Sequence, residues 1–128
     1  MKNEITFQIE VKQLEELFTK KSFEEADKLC SRMLDDYNQF DYELLLKRAR
    51  IRQCLMRYED AMLDANIAMQ LLPQKLDAYY VMSDFYLALN KHAEALKILE
   101  ILYAADQNDP MIKSQYELIK QKEKKKLL

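Results

Sequence analysis

Small and apolar residues recur along this chain at three- and four-residue intervals, the spacing that lines one face of an α-helix. Ala26, Cys30 and Met33 form one such stripe. Others are Leu45 with Ala49, Ala61 with Ala65 and Ala68, Tyr79 with Met82, Ser83 and Tyr86, Ala95 with Leu99 and Leu102, and Ile112 with Tyr116 and Ile119. The acidic pairs Glu15-Glu16, Glu24-Glu25 and Asp35-Asp36 are neighbours in sequence, so on a helix they do not face each other and read as solvated surface. The periodicity predicts helices near 4–20, 22–37, 41–56, 58–72, 75–90, 92–105 and 109–126, an all-α chain. Boundary residues sharpen it. Both prolines fall between periodic segments, where they interrupt no helix. Ser22 with Glu25 predicts a capping box, and Asp109 before Pro110 predicts an N-cap with proline at the first helical position. Asn90 suits a left-handed turn. Lys21 and Met56 stand at the matching places, so their turns are expected to be strained or differently shaped.

The stripes repeat. Tyr58-Glu59-Asp60-Ala61 and His92-Ala93-Glu94-Ala95 are 34 residues apart, and the same offset pairs Leu45 with Tyr79, Ala49 with Ser83, Arg52 with Tyr86, Ala65 with Leu99 and Ala68 with Leu102. A third copy, Phe23-Glu24-Glu25-Ala26, lies 35 residues upstream, with one extra residue near Asn38 to Phe40. On these residues the chain resembles a tetratricopeptide repeat (TPR) domain, whose unit is a 34-residue helix–turn–helix. The second copy shows Leu45, Arg48, Ala49 and Arg52, then Ala61, Ala65, Ala68 and Pro73; the third shows Tyr79, Met82, Ser83 and Tyr86, then Ala95, Leu99 and Leu102. The first departs most, with Glu10, Gln13 and Leu14 where large, large and small residues are expected. The resemblance runs from about Phe7 to the end. It implies one domain over 1–128, with repeats at 7–40, 42–75 and 76–109 and a capping helix at 110–126, wound as a right-handed solenoid of seven helices. Small side chains at Ala49, Ser83, Ala61 and Ala95 let paired helices approach; bulkier ones would overpack at about 1–3 kcal/mol each.

Composition narrows the chemistry. The 128 residues include 0 Gly, which excludes a phosphate-cradling loop or dinucleotide fingerprint and leaves little material for hairpin turns. His92 is the only histidine, and Cys30 and Cys54 are far apart, so no zinc ligand set, and no other cofactor site, is expected. His92 matches Tyr58 and Phe23 and reads as a packed substitute for an aromatic. Cys30 falls among core positions, while Cys54 lies on the inner face of its helix and is expected to be more accessible. No Ser–His–acid or Cys–His arrangement can be assembled, and the chain is expected not to be an enzyme. Met1-Lys2-Asn3-Glu4 is not a signal peptide, and no apolar run approaches the length of a membrane span. With two thiols left unpaired, a reducing, cytoplasmic setting is expected.

Net charge is −2, but its distribution is uneven. Residues 110–128 hold 6 basic and 2 acidic groups, and Lys47, Arg48, Arg50 and Arg52 crowd one helix. The lysine tail lacks interleaved aromatics, so no nucleic-acid partner is expected. In a TPR-like solenoid the first helix of each unit lines the concave face. Helical phase places Val11, Glu15 and Phe18 there, with Glu43, Leu46, Lys47, Arg50, Gln53 and Cys54, and with Asp77, Tyr80, Val81, Asp84 and Leu87. The candidate peptide site is Leu46, Lys47, Arg50, Gln53, Asp77, Tyr80, Asp84 and Leu87, with Leu46, Tyr80 and Leu87 as apolar anchors. Alternatively, Lys47 and Arg50 simply pair with Asp77, Asp84 and Glu43. The stretch from Ala61 through Pro73 to Tyr80 resembles heat-shock co-chaperone TPRs, which grip peptides ending Glu-Glu-Val-Asp through Lys and Asn, then Lys and Arg. The matching positions here are Val11, Glu15, Lys47, Asp77 and Val81, of which only Lys47 is basic, so the clamp does not carry over. The expected function is a non-catalytic module or scaffold binding a peptide or helix of a partner protein. The alternatives are a co-chaperone-like TPR with a remodelled clamp and a structural subunit associating through its repeat ends. Lys113, Glu117, Lys120 and Lys124 along one side of the last helix favour a capped monomer, or a domain of a larger protein.

Overall fold

A computed structural model describes residues 3–126; positions 1, 2, 127 and 128 of the expected domain lie outside the described residues. Among the described residues there are seven helices and no strand: α1 (Glu4–Thr19), α2 (Phe23–Asp36), α3 (Tyr42–Cys54), α4 (Tyr58–Leu71), α5 (Asp77–Ala88), α6 (His92–Ala105) and α7 (Pro110–Lys126). They fall into two compact units, one ending at Pro73 and the other starting at Gln74. In the first, α1 packs on α2, α2 on α3 and α3 on α4; in the second, α5 packs on α6 and α6 on α7.

Each helix pair closes through one tight turn. Lys21, Met56 and Asn90 have φ of 62°, 59° and 57°. The next residue's N–H then bonds to a carbonyl five residues back: Ser22 to Leu17, Arg57 to Arg52 and Lys91 to Tyr86, each at 2.8 Å. These are left-handed helix ends with a shared hydrogen-bond closure. The three turns therefore have one shape, and the expected difference at Lys21 and Met56 does not exist; what remains is the cost of a Cβ in the left-handed region, about 1–2 kcal/mol each. The same closure removes the expected capping box. Ser22 sits at φ −86°, ψ 65° and makes no side-chain cap bond, and Arg57 and Lys91 adopt nearly the same angles without a capping side chain. The turn, not the serine, sets the geometry there. Side-chain caps appear at two of the three longer linkers, those before α3 and α7, while Leu76 before α5 offers none. Asp41 Oδ1 accepts from the Leu44 N–H at 3.0 Å, and Asp109 Oδ1 accepts from Met111 and Ile112 at 3.0 and 3.4 Å, with Pro110 opening α7.

Small residues occupy the helix crossings, as their spacing predicts. Ala26, Ala49, Ala61, Ala65 and Ala95 are fully buried, and Ser83 satisfies its hydroxyl by donating to the Tyr80 carbonyl at 2.8 Å. The first pair differs, since Leu14 is buried where its counterparts are Ala49 and Ser83, and Glu10 is buried as well. Two edge-on aromatic contacts brace that pair, Phe7 with Tyr37 and Phe18 with Phe23. In the second unit, Leu99, Leu102, Ile112 and Ile119 form the core, and Tyr103 stacks on Tyr116 with centroids 5.1 Å apart.

Candidate functional site

In the first unit, α3 presents Lys47, Arg50, Gln53 and Cys54 at partly or fully exposed positions. Lys47 Nζ approaches Glu15 Oε1 of α1 at 3.9 Å, so the two first helices of this unit do share a face. Both groups are well exposed, and such a pair contributes at most about 1 kcal/mol. Arg50 Nη1 donates to Gln53 Oε1 at 3.3 Å. Leu46 departs from the expectation of an available anchor: it is 8% exposed. Leu44, Leu45 and Leu46 are all buried, so coverage extends around α3 as far as Leu46 and stops short of Lys47.

In the second unit, Asp77 is exposed, Asp84 and Leu87 are half-buried, and Val81 is buried. Tyr80 is half-buried, packing with Leu87 against the Leu99–Leu102–Ile112–Ile119 core. Its hydroxyl lies 3.5 Å from Asp109 Oδ2. Burial, and then the negative field of Asp109, Asp106 and Asp77, push the phenol above its ordinary range. Tyr80 thus packs on this core with part of its surface and keeps the rest open.

The arginines of α3 hold the feature that sequence reasoning missed. Arg48 and Arg52 do not belong to a solvated basic face. Arg48 grips Asp64 of α4 with two bonds, Nε to Oδ2 at 2.8 Å and Nη2 to Oδ1 at 2.7 Å, and reaches Ser31 Oγ at 3.2 Å. Arg52 bridges Asp64 Oδ2 at 3.1 Å and Asp27 Oδ1 of α2 at 3.0 Å. Arg57 extends the ladder outwards, to Asp27 at 3.1 Å and Glu24 at 2.6 Å. Asp64 is 2% exposed. Three cations and three anions thus tie α2, α3 and α4 together, and the hydrogen bonds that Asp64 accepts from Arg48, against the opposing cost of burial, raise the Arg48 pKa further. The signal lay in the repeats. Arg48, Arg52 and Asp64 match Met82, Tyr86 and Ile98 in the next copy, three positions charged together, two basic and one acidic, with Asp27 of α2 supplying the second acid.

No catalytic arrangement emerges at the residues capable of one. Cys30 is buried, donates to the Leu44 carbonyl at 3.3 Å, and is pushed up to about 12 by burial. Cys54 is exposed. His92 is half-buried, with its Nδ1 buried and making no hydrogen bond, as befits a packed ring. Among the described residues no group of three or more His, Cys, Asp or Glu could hold a metal, and no helix is long and apolar enough to cross a membrane. A cleft of about 450 Å³ on α1 and α2 sets Lys20, Lys28 and Arg32 beside Glu16 and Glu25, with no Ser, Thr, Cys or His among its lining residues.

Helix pairs with these turns and these small crossing residues are the architecture of tetratricopeptide repeats, and the comparisons agree. A tetratricopeptide repeat family model matches residues 57–116. Among solved structures, the TPR2B domain of yeast Sti1 in its pHsp70 complex is 24% identical with a TM-score of 0.75, covering 90% of this chain and 96% of that one. The Yersinia enterocolitica type III secretion chaperone SycD, in complex with a peptide of the translocator YopD, is 19% identical with a TM-score of 0.82, covering 94% and 99%. The second TPR domain of human RPAP3, in complex with the HSP70 peptide SGPTIEEVD, is 20% identical with a TM-score of 0.74, covering 87% and 92%. No curated protein sequence matches the chain significantly. The chain is a TPR-like all-α repeat domain.

Proposed function

We propose that this chain is a non-catalytic protein-interaction module, or scaffold, that binds a peptide or helix of a partner protein along the first helices of its pairs. One observation carries the reading: the fold is that of TPR domains whose structures were determined with bound peptides. The half-buried cations Lys47 and Arg50 suit an acidic group on the partner, which would compete with Glu15 and Gln53 for them. In the second unit, Tyr80 with Asp77 and Asp84 suits an apolar or basic one. Three repeats followed by the α7 cap form the working domain in this reading. The likeness to Sti1 and RPAP3 favours a second form of it, a co-chaperone-like TPR whose clamp has been remodelled. An exposed thiol at Cys54 is in keeping with work in the reducing cytoplasm. The test is calorimetry of the partner, recovered by affinity capture and identified, against Lys47→Glu and Arg50→Glu. Each is expected to weaken binding about tenfold or more, as hot-spot residues do, with unchanged melting. Unchanged affinity in both variants would place the site off this face.

A further inference from the structure

Two exposed helix faces, one in each compact unit, carry complementary patterns. On α4, Asp60, Leu63, Ile67 and Leu71 follow at i, i+3, i+7 and i+11, which is one stripe, with Glu59 at its acidic end. The opposite side of α4 is committed to the interior through Ala61, Ala65 and Ala68, yet Leu63 is 59% and Leu71 37% exposed. On α7, Met111, Leu118, Lys122 and Lys125 follow at i, i+7, i+11 and i+14, also one stripe. Ile112 and Ile119 face the core, while Met111 is 69% and Leu118 53% exposed. One stripe runs acidic then apolar; the other runs apolar then basic.

We propose that these two faces bind each other between copies of this chain, α4 of one copy lying antiparallel against α7 of the next. The register follows from helical rise. Asp60 and Ile67 are separated by the same seven residues as Lys125 and Leu118, about 10 Å in both helices, so one antiparallel alignment brings both pairs together. Leu71 then lies within a turn of Met111, Leu63 lies opposite Lys122, whose aliphatic stem can cover it, and Glu59 lies within one residue of Lys125. A parallel alignment would press Leu71 onto the lysines instead. Both halves of this interface belong to this chain, which favours a second copy over a foreign helix. An anionic membrane fits less well, because the α7 isoleucines are committed to the core and, among the described residues of α7, Met111 and Leu118 are the large apolar side chains left exposed for insertion. The contact joins two different faces, so each copy keeps one face free for another. Two short apolar stripes and exposed ion pairs make it weak, reversible and salt-sensitive.

The test is analytical ultracentrifugation of the full chain from about 10 to about 500 µM, the range in which a weak contact fills. The average mass is expected to rise above the 15.3 kDa of one chain with concentration, and to fall back at high salt. Glu59→Lys with Asp60→Lys, or Lys122→Glu with Lys125→Glu, should each leave a single-chain mass and a wild-type helical melt. Mixing the two variants should restore association, because each then meets its opposite charge. A single-chain mass throughout, variants that associate like wild type, or a mixture that stays monomeric would each overturn the proposal. Should a double variant misfold, Leu63→Gln and Leu118→Gln provide the same reading through the apolar part of the contact.

Discussion

Cys30 and Cys54 are the same functional group in opposite surroundings, and the difference is measurable. Cys30 is wholly buried with its Sγ–H on the Leu44 carbonyl, so ionising it means placing a thiolate in an apolar interior; its pKa rises from 9.0 to about 12. A raised folded-state pKa means the folded thiol stays protonated while the unfolded one ionises. Stability from this group is thus complete below about pH 9 and is lost as pH climbs from there towards 12. The denaturation midpoint should fall between pH 8 and about pH 10.5, and Cys30→Ala should flatten that fall. A thiol reagent followed by mass spectrometry should modify Cys54 promptly and Cys30 only at the rate of unfolding. Tyr80 makes the companion case. Its ring packs on the α6–α7 core and its hydroxyl makes only a 3.5 Å contact with Asp109. Tyr80→Phe should therefore stay within about 0.5 kcal/mol of wild type, whereas Tyr80→Ala should cost about 2 kcal/mol, part of the full price of emptying a buried aromatic site. Equal effects in denaturant titrations would mean that the ring does not pack as described.

The three left-handed turns and the arginine ladder decide how the helices meet. Glycine lacks the Cβ that is strained at φ near 60°, so Lys21→Gly or Met56→Gly should gain up to about 1 kcal/mol, less the entropy glycine loses on folding. Asn90→Gly should gain less, and a loss at all three in denaturant titrations would contradict the turn geometry. Removing one member of the ladder leaves a buried charge uncompensated: Asp64→Asn should cost about 3–5 kcal/mol. Grafting the next repeat's residues, Asp64→Ile with Arg48→Met and Arg52→Tyr, should cost less than that single change, since apolar replacement of a whole buried cluster is often close to neutral. The helices, their order and the alanine crossings were legible in the sequence because 3.6-residue periodicity and a 34-residue offset are local signals. The ladder was not read there, because charges on one helix look solvated until α2 and α4 are brought beside them. Leu46, Tyr80 and Leu87 share that difficulty, as helical phase alone cannot say how deeply a neighbouring helix covers a position.

Across the whole chain, the distribution of charge tells against an acidic peptide terminus as ligand. Residues 74–109 hold 3 basic and 6 acidic groups, and the basic surplus is confined to α7. A peptide ending in Glu-Glu-Val-Asp presents several carboxylates and needs convergent cations. At the positions that the co-chaperone resemblance assigns to that task, the chain has Val11, Glu15, Lys47, Asp77 and Val81. Lys47, the one cation among them, already faces Glu15 at 3.9 Å. Arg48 and Arg52, which on composition alone would enlarge the positive patch, are spent on Asp64 and Asp27 inside the first unit. Glu15 and Asp77 would repel the incoming terminus, and like charges brought together at an interface cost several kcal/mol. Calorimetric titration of such a peptide into the chain should therefore give no heat beyond dilution at moderate salt. The double variant Glu15→Asn with Asp77→Lys, which places donors where the acids stood, should bind more tightly than wild type. Micromolar binding by the wild-type chain that disappears in Lys47→Ala would show that a single cation suffices and that the charge argument fails.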